Sequence, residues 1–374
     1  MLRTFYFARG ILGGKQMKLV KTSAVCLAAL LTVVTMISAC GNGGGTPSNN
    51  EMNDAAKALK SEMGEKDFNE AANAIKDELT KDTAKETAAP ATDAVPEEEE
   101  IVTPDASEFK YNYDATIEGV VITGYTGDAK RIRVPSELDG DTVKKLEGEY
   151  YHGTYYPAID TCTYVEIPDT VTVIGDYAFA SWSYEGSPLE EIILPEKLES
   201  IGKEAFHECK KLTSIKIPEG VTTIEKKTFG SCTALEEVIF PSTLTSIGFN
   251  AFGASGLKKI EIPDTVTELD TEIFYQCKNL EEVILPKNIT SIPSSMFSWC
   301  SSLKEVTIPN SVTSISYDVF SNCTSLRSLA LPDGLTFLDT HVFENCDALT
   351  VTFKGEKYNH ADWDALYNAV KSNS

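Results

Sequence analysis

Residues 212–235 read Leu212-Thr-Ser-Ile-Lys-Ile-Pro218, Glu-Gly-Val221-Thr-Thr-Ile224, then Phe229, Cys232 and Leu235. Ile215 and Ile217 alternate with Ser214 and Lys216, the period of a strand with one buried face. Pro218 ends that strand, because proline cannot donate to a ladder. A second extended piece follows at Val221–Ile224, and a turn leads to Phe229, whose ring must fill the interior. Cys232 and Leu235 complete the apolar set.

The phrase recurs. Its prolines stand at 168, 195, 218, 241, 263, 286, 309 and 332, at intervals of 27, 23, 23, 22, 23, 23 and 23. A fixed period in this range is the mark of a solenoid. One unit cannot bury its apolar face alone, whereas stacked units can, each touching only its neighbours. The expected fold is therefore a repeat solenoid, mainly β. The 27-residue interval holds four extra residues around Trp182-Ser-Tyr-Glu-Gly186, with Trp182 read as filling the cysteine slot. The unit at Phe252 is one residue short and has Ser255 in that slot.

The phrase Leu-x-x-Ile-x-Ile-Pro-x-x-Val-Thr-x-Ile-Gly-x-x-Ala-Phe-x-x-Cys resembles the BspA-like leucine-rich-repeat family of bacterial surface proteins. Gly119–Gly127, followed by Ile132-Arg-Val-Pro135, resembles that family's N-terminal portion. The resemblance implies a leucine-rich-repeat array and a surface adhesion or interaction role.

The segments around the array divide the chain further. Lys18 and Lys21 precede an apolar run from Val25 to Ile37, and Ile37-Ser-Ala-Cys40 follows. This is the build of a secretory signal over residues 1–39, too short for a confident membrane span. The segment from Met17 forms such a signal by itself. Ile37–Cys40 resembles the bacterial lipoprotein box, which implies cleavage before Cys40 and a lipid on that cysteine. Gly41 lacks the aspartate that resembles an inner-membrane retention signal, so an outer-facing position is expected. Residues 40–106, rich in Gly, Ser, Ala, Glu and Pro, read as a flexible, partly helical stalk. Residues 107–160 are expected to cap the array with short strands, 161–353 to form it, and 354–374 to close it with a helix carrying Trp363, Leu366 and Val370.

Charge narrows the partners. The 374 residues carry 33 basic and 56 acidic side chains, a net charge of -23. Loss of residues 1–39 removes five basic side chains and no acids, which takes the charge to -28. Nucleic acid needs clustered Lys and Arg and is not an expected partner.

Chemistry-bearing residues offer little to a catalyst. Cys209, Cys232, Cys277, Cys300, Cys323 and Cys346 share one repeat slot, with Cys162 near the array's start. They read as small buried hydrophobes, with disulfides between rungs as the alternative. No spacing resembles a zinc site. The four histidines stand at no ligand or triad spacing. No cofactor is implied, and an enzyme is not expected.

Binding candidates lie where the repeat varies. The outward strand column reads Glu166, Ile193, Lys216, Ile239, Glu261, Ile284, Thr307 and Ala330. Two residues earlier stand Tyr164, Glu191, Ser214, Glu237, Lys259, Glu282, Glu305 and Ser328. Isoleucine on alternate rungs beside Glu191, Glu237 and Glu282 suits a partner's anchors, although isoleucine also simply favours strands. Tyr150, Tyr151, Tyr155 and Tyr156, with Trp182, form an aromatic-rich candidate that could bind a partner or plug the first rung. Thr172, Thr222, Thr245, Thr267, Thr290, Thr313 and Thr336 read as a structural ladder.

The expectation is a monomeric, non-catalytic, lipid-anchored surface protein, tied to a membrane through Cys40 and binding a protein or glycan ligand. A structural envelope protein and an accessory of a glycan-processing system are the alternatives.

Overall fold

The computed structural model describes residues 100–151 and 154–373, all within the compact unit Glu98–Ser374. The signal, Cys40 and most of the stalk lie outside the described residues.

Each repeat makes one three-sided turn. In the unit quoted above the first side is the strand Ser214–Lys216, and the Val221 amide closes the proline turn on the Pro218 carbonyl at 3.1 Å. The second side is the short strand Thr223–Ile224. The third carries Phe229 and returns through Cys232 and Leu235 to the next strand, Glu237–Ile239. Ile215, Ile217, Val221, Ile224, Phe229, Cys232 and Leu235 are all buried, as the alternation requires.

Successive turns stack in parallel and in register. Ser214, Ile215 and Lys216 face Glu237, Val238 and Ile239; Lys259, Ile260 and Glu261 face Glu282, Val283 and Ile284, which face Glu305, Val306 and Thr307. The second sides pair likewise, Ile224 with Ile247 and Ile247 with Leu269. On the third side the amide of each phenylalanine bonds the next turn, as from Phe229 to the Ala251 carbonyl at 2.8 Å. All three sides therefore settle their backbone polar groups between rungs.

The core is a column of rings. Phe179, Phe206, Phe229, Phe252, Phe274, Phe297, Phe320 and Phe343 lie one above another, with neighbouring centroids 5.2–6.0 Å apart and planes within 15°. Burying such a ring contributes about 1.5–3 kcal/mol, and each offset pair adds about 0.5–1.5 kcal/mol.

The chain bends sharply on both sides of each ring from Phe206 to Phe320, and it does so without glycine. Lys227 (φ 53°) and Ser231 (φ 60°) bracket Phe229; Glu272 and Gln276 bracket Phe274 at 62° and 60°. Left-handed L-residues cost roughly 1–2 kcal/mol each. The bonds from Lys227 N to Phe249 O (2.9 Å) and from Ser231 N to Gly253 O (2.7 Å) hold them there.

The stack continues beyond the proline-marked units at both ends. Arg131–Arg133 pairs in parallel with Tyr164–Glu166, and Asp141–Leu146 lies between Gly119–Tyr125 and Val173–Ile174. Phe109–Asp114 adds antiparallel to Gly119–Tyr125, covering that edge. At the far end Thr350–Phe353 pairs antiparallel with Glu356–Tyr358. Helix α1, Trp363–Lys371, then buries Leu366 and Val370, with the Trp363 ring 5.1 Å from Phe343.

Candidate binding surfaces

The cysteine slot is part of the fold's polar accounting. Each thiol donates to the carbonyl of the phenylalanine one turn back: Cys209 to Phe179 (3.3 Å), Cys232 to Phe206 (3.1 Å), Cys277 to Phe252 (3.0 Å), Cys300 to Phe274 (3.1 Å), Cys323 to Phe297 (3.2 Å) and Cys346 to Phe320 (2.9 Å). All are free and buried, as is Cys162. Burial pushes Cys209 up to about 12 and Cys277 and Cys346 up to about 11. A small side chain with a weak donor fits this slot, adding a second donor to carbonyls that mostly accept a backbone amide already, as Phe274 does from Cys277 N at 3.1 Å.

The structure corrects one expectation within this column. Trp182 does not fill the cysteine slot. Ser187, which is buried, stands two residues before the core Leu189 and beside Cys209, as Ser255 stands two before Leu257 and bonds Cys277 at 3.3 Å. The extra residues loop outward, and Trp182 goes with them. Counting forward from Phe179 places the tryptophan in the slot; counting back from Leu189 places the serine there, and the core follows the second count.

The first-side column is exposed as the alternation predicts. Ile193, Ile239 and Ile284 are 45%, 49% and 41% exposed, and Lys216, Glu261 and Thr307 stand between or beyond them on the same face. Glu191 and Glu237 are exposed, whereas half-buried Glu282 is ion-paired with Lys259. Neighbouring pairs Glu236–Lys258 and Glu281–Lys304, each at 2.7 Å, also bridge rungs. Tyr164 is the exception in its column: it is buried, with the Arg131 guanidinium 4.5 Å from its ring centre. The threonine ladder is stitched by its hydroxyls, which donate from Thr245, Thr313 and Thr336 to the carbonyls of Thr222, Thr290 and Thr313.

Among the aromatic candidates Trp182 lies on the third side, away from the isoleucine column, and the base of the tyrosine hairpin lies near it. Glu149–Tyr151 and Thr154–Tyr156 form a two-stranded hairpin that pairs Tyr150 with Tyr155. Its base, Gly148, donates to the Asp176 carbonyl at 2.8 Å, and a side chain there would strike Tyr177. Tyr177 lies 6.5 Å from Trp182, and Trp182 lies 5.0 Å from His207. Residues far apart in the two insertions thus share one flank, and Tyr156 is exposed on the hairpin. Sequence reasoning missed Trp299, Tyr317 and Phe337, which are also exposed. Phe337 was detectable, since from Ser200 onward its column otherwise holds only Ser200, Thr223, Ser246, Glu268, Ser291 and Ser314.

Carboxylates do not converge. Asp114, Asp264 and Glu281 sit below their ordinary values because Thr116, Lys287 and Lys304 hydrogen-bond them. Among the described residues only Asp318 is raised, by burial and by Glu344. No described helix is long and apolar enough to cross a membrane.

A parallel stack of 23-residue turns with one buried leucine, isoleucine and phenylalanine column apiece is a leucine-rich-repeat solenoid. The model of the BspA type leucine rich repeat region matches residues 153–281, 223–350 and 272–370, and the chain belongs to that family. Proteins of this kind are generally binding scaffolds. No curated protein matches the chain. Three solved structures are similar to it. A leucine rich repeat protein of T. pallidum is 25% identical over 60% of this chain and 91% of its own, with a TM-score of 0.41. A leucine rich cell surface protein of Faecalibacterium prausnitzii is 23% identical over 71% and 98%, with a TM-score of 0.33. A leucine-rich repeat protein of Bacteroides ovatus is 24% identical over 66% and 88%, with a TM-score of 0.36.

Proposed function

We propose that the chain is a non-catalytic, lipid-anchored surface protein whose solenoid captures a protein partner on its first-side sheet. The supporting observation is the column Ile193, Ile239 and Ile284, exposed at every second rung. Rungs about 4.8 Å apart place these side chains roughly 9.6 Å from one another. Each shares its strand with a glutamate: Glu191, Glu237 and Glu282. The face therefore suits a basic partner that offers apolar side chains at that spacing. Exposed apolar anchors in a charged surround are the usual form of an interaction patch. Cys40 would tie the module to a membrane, with residues 40–106 as the tether.

A binding screen of purified matrix proteins against the solenoid tests this reading. The combined Ile193→Asp, Ile239→Asp and Ile284→Asp variant is expected to lose capture of any hit while keeping its fold. Unchanged capture removes the strand face.

A further inference from the structure

Single exposed rings are ordinary on a protein surface, whereas adjoining ones mark interaction sites, and the first-interval insertion holds adjoining rings in a fixed geometry. The loop Ser181–Gly186 is tied down at both ends and within. Ser181 N donates to the His207 carbonyl at 3.0 Å, Ser187 N to Glu208 O at 3.0 Å, and Gly186 N to Ser183 O at 3.1 Å. Lys210 Nζ reaches across to the Tyr184 carbonyl at 2.9 Å. So braced, the loop holds Trp182 at 46% exposure and Tyr184 at 98%. Trp182 is tilted 41° against His207, and half-buried Tyr177 extends the surface toward the hairpin base.

The surround is polar and carries one net negative charge, from the exposed Glu185 of the loop itself. Lys210 is ion-paired with Glu208 at 3.0 Å, and burial holds His207 below its ordinary value, hence neutral at pH 7. Ser181 and Ser183 flank Trp182 in the chain, with their hydroxyls 3.2 Å from each other. The loop contains no aliphatic side chain. A protein contact of ordinary strength needs about 800 Å² per partner around an apolar centre, whereas one or two sugar rings need only ring faces and hydroxyl-bonding groups.

We propose that Trp182, with Tyr177, Tyr184 and His207, forms a binding platform for a neutral glycan, on a side of the solenoid separate from the isoleucine column. The apolar C–H face of a pyranose stacks on the Trp182 indole. Its ring hydroxyls meet Ser181, Ser183 and the Glu208–Lys210 pair. Glu185 in the loop disfavours an acidic sugar and leaves a neutral one as the ligand.

The test uses the full-length protein and a panel of neutral oligosaccharides built from glucose, galactose, mannose and N-acetylglucosamine, with a sialylated set beside it. Tryptophan emission and titration calorimetry read binding. At least one neutral oligosaccharide should shift the emission with a Kd at or below millimolar. Trp182→Ala should weaken that binding at least tenfold with an unchanged melting temperature, and Trp182→Phe should restore part of it. Tyr184→Ala gives a second, fully exposed probe. The triple isoleucine variant should bind the sugar normally, which separates this site from the strand face. The proposal is overturned if no neutral oligosaccharide binds at millimolar concentration, if only sialylated sugars bind, if Trp182→Ala binds like the parent, or if Trp182 proves necessary for a protein partner alone.

Discussion

Raising the pH should unfold this protein through its thiol column. Burial raises Cys162, Cys277 and Cys346 to about 11 and Cys209 to about 12, from an ordinary 9.0, and pushes Cys232, Cys300 and Cys323 well up. A thiolate in this column would face phenylalanine carbonyls across an apolar interior, with no cation to meet it. The unfolded chain ionises these thiols from pH 9 upward and the folded one does not. A folded value above the unfolded one gives stability that is complete below pH 9 and lost as pH rises toward the folded value. At pH 10 each thiol accounts for about 1.4 kcal/mol of loss. Seven such groups give about 10 kcal/mol, the size of a domain's whole stability. Tyr125 and Tyr367, raised by burial to about 12, add to the fall above pH 10. Urea unfolding followed by circular dichroism, in reductant at half-unit steps from pH 8 to 10.5, reads the effect. Stability should be flat to about pH 8.5 and then fall with the slope of about six protons near pH 10. Cys300→Ser, which keeps a donor for the Phe274 carbonyl, should reduce that slope by about one proton. A slope of one proton or less over the whole range would refute the reasoning.

Other outcomes follow from the same geometry. At pH 8 an alkylating reagent should leave the seven array thiols unmodified in the native protein and reach them on denaturation, which mass spectrometry counts. Phe274→Ala should destabilise by about 3–5 kcal/mol in urea unfolding, since it opens a cavity in mid-stack. Lys227→Gly should leave stability within about 1 kcal/mol of the parent, because relief at a left-handed position offsets added freedom in the unfolded chain. Lys227→Val should cost more, and a reversed order would show that φ is not what constrains this turn. Cys40→Ala should abolish metabolic fatty-acid labelling and release the protein from the membrane fraction.

The buried columns were legible because each obeys a fixed period that only stacking can satisfy. Ile215, Ile224, Phe229 and Cys232 stand where alternation and the 23-residue interval place them, and the outward column inverts the same pattern. The path of the insertion was not legible. Trp182 and Ser187 are equally consistent with the spacing on either side, and only packing decides between them. A serine satisfies the polar slot beside Cys209 at little volume, whereas an indole would force the rungs apart, and overpacked cores commonly lose about 1–3 kcal/mol. Nor does spacing reveal that Gly148 sets the tyrosine hairpin against Tyr177. That contact depends on the hairpin leaving the stack at the corner where the next turn bends.

The same physics explains where binding should lie in such an array. A slot that repeats is fixed by its neighbours above and below, so a substitution in it is felt by three rungs at once. The threonine hydroxyls, the thiols and the rings are all constrained in this way. The positions least bound by the core are the outward side chains of the strands and of the insertion loop. Ile193, Ile239 and Ile284 could each be polar at no cost to the core, as Lys216 and Glu261 show on the rungs between. Trp182 could likewise be any residue that lets Ser187 reach its slot. Strand preference is one reason for the isoleucines; contact with a ligand is the other that we propose. The two surfaces should then fail independently: the isoleucine substitutions should remove protein capture and spare sugar binding, and Trp182→Ala should do the reverse.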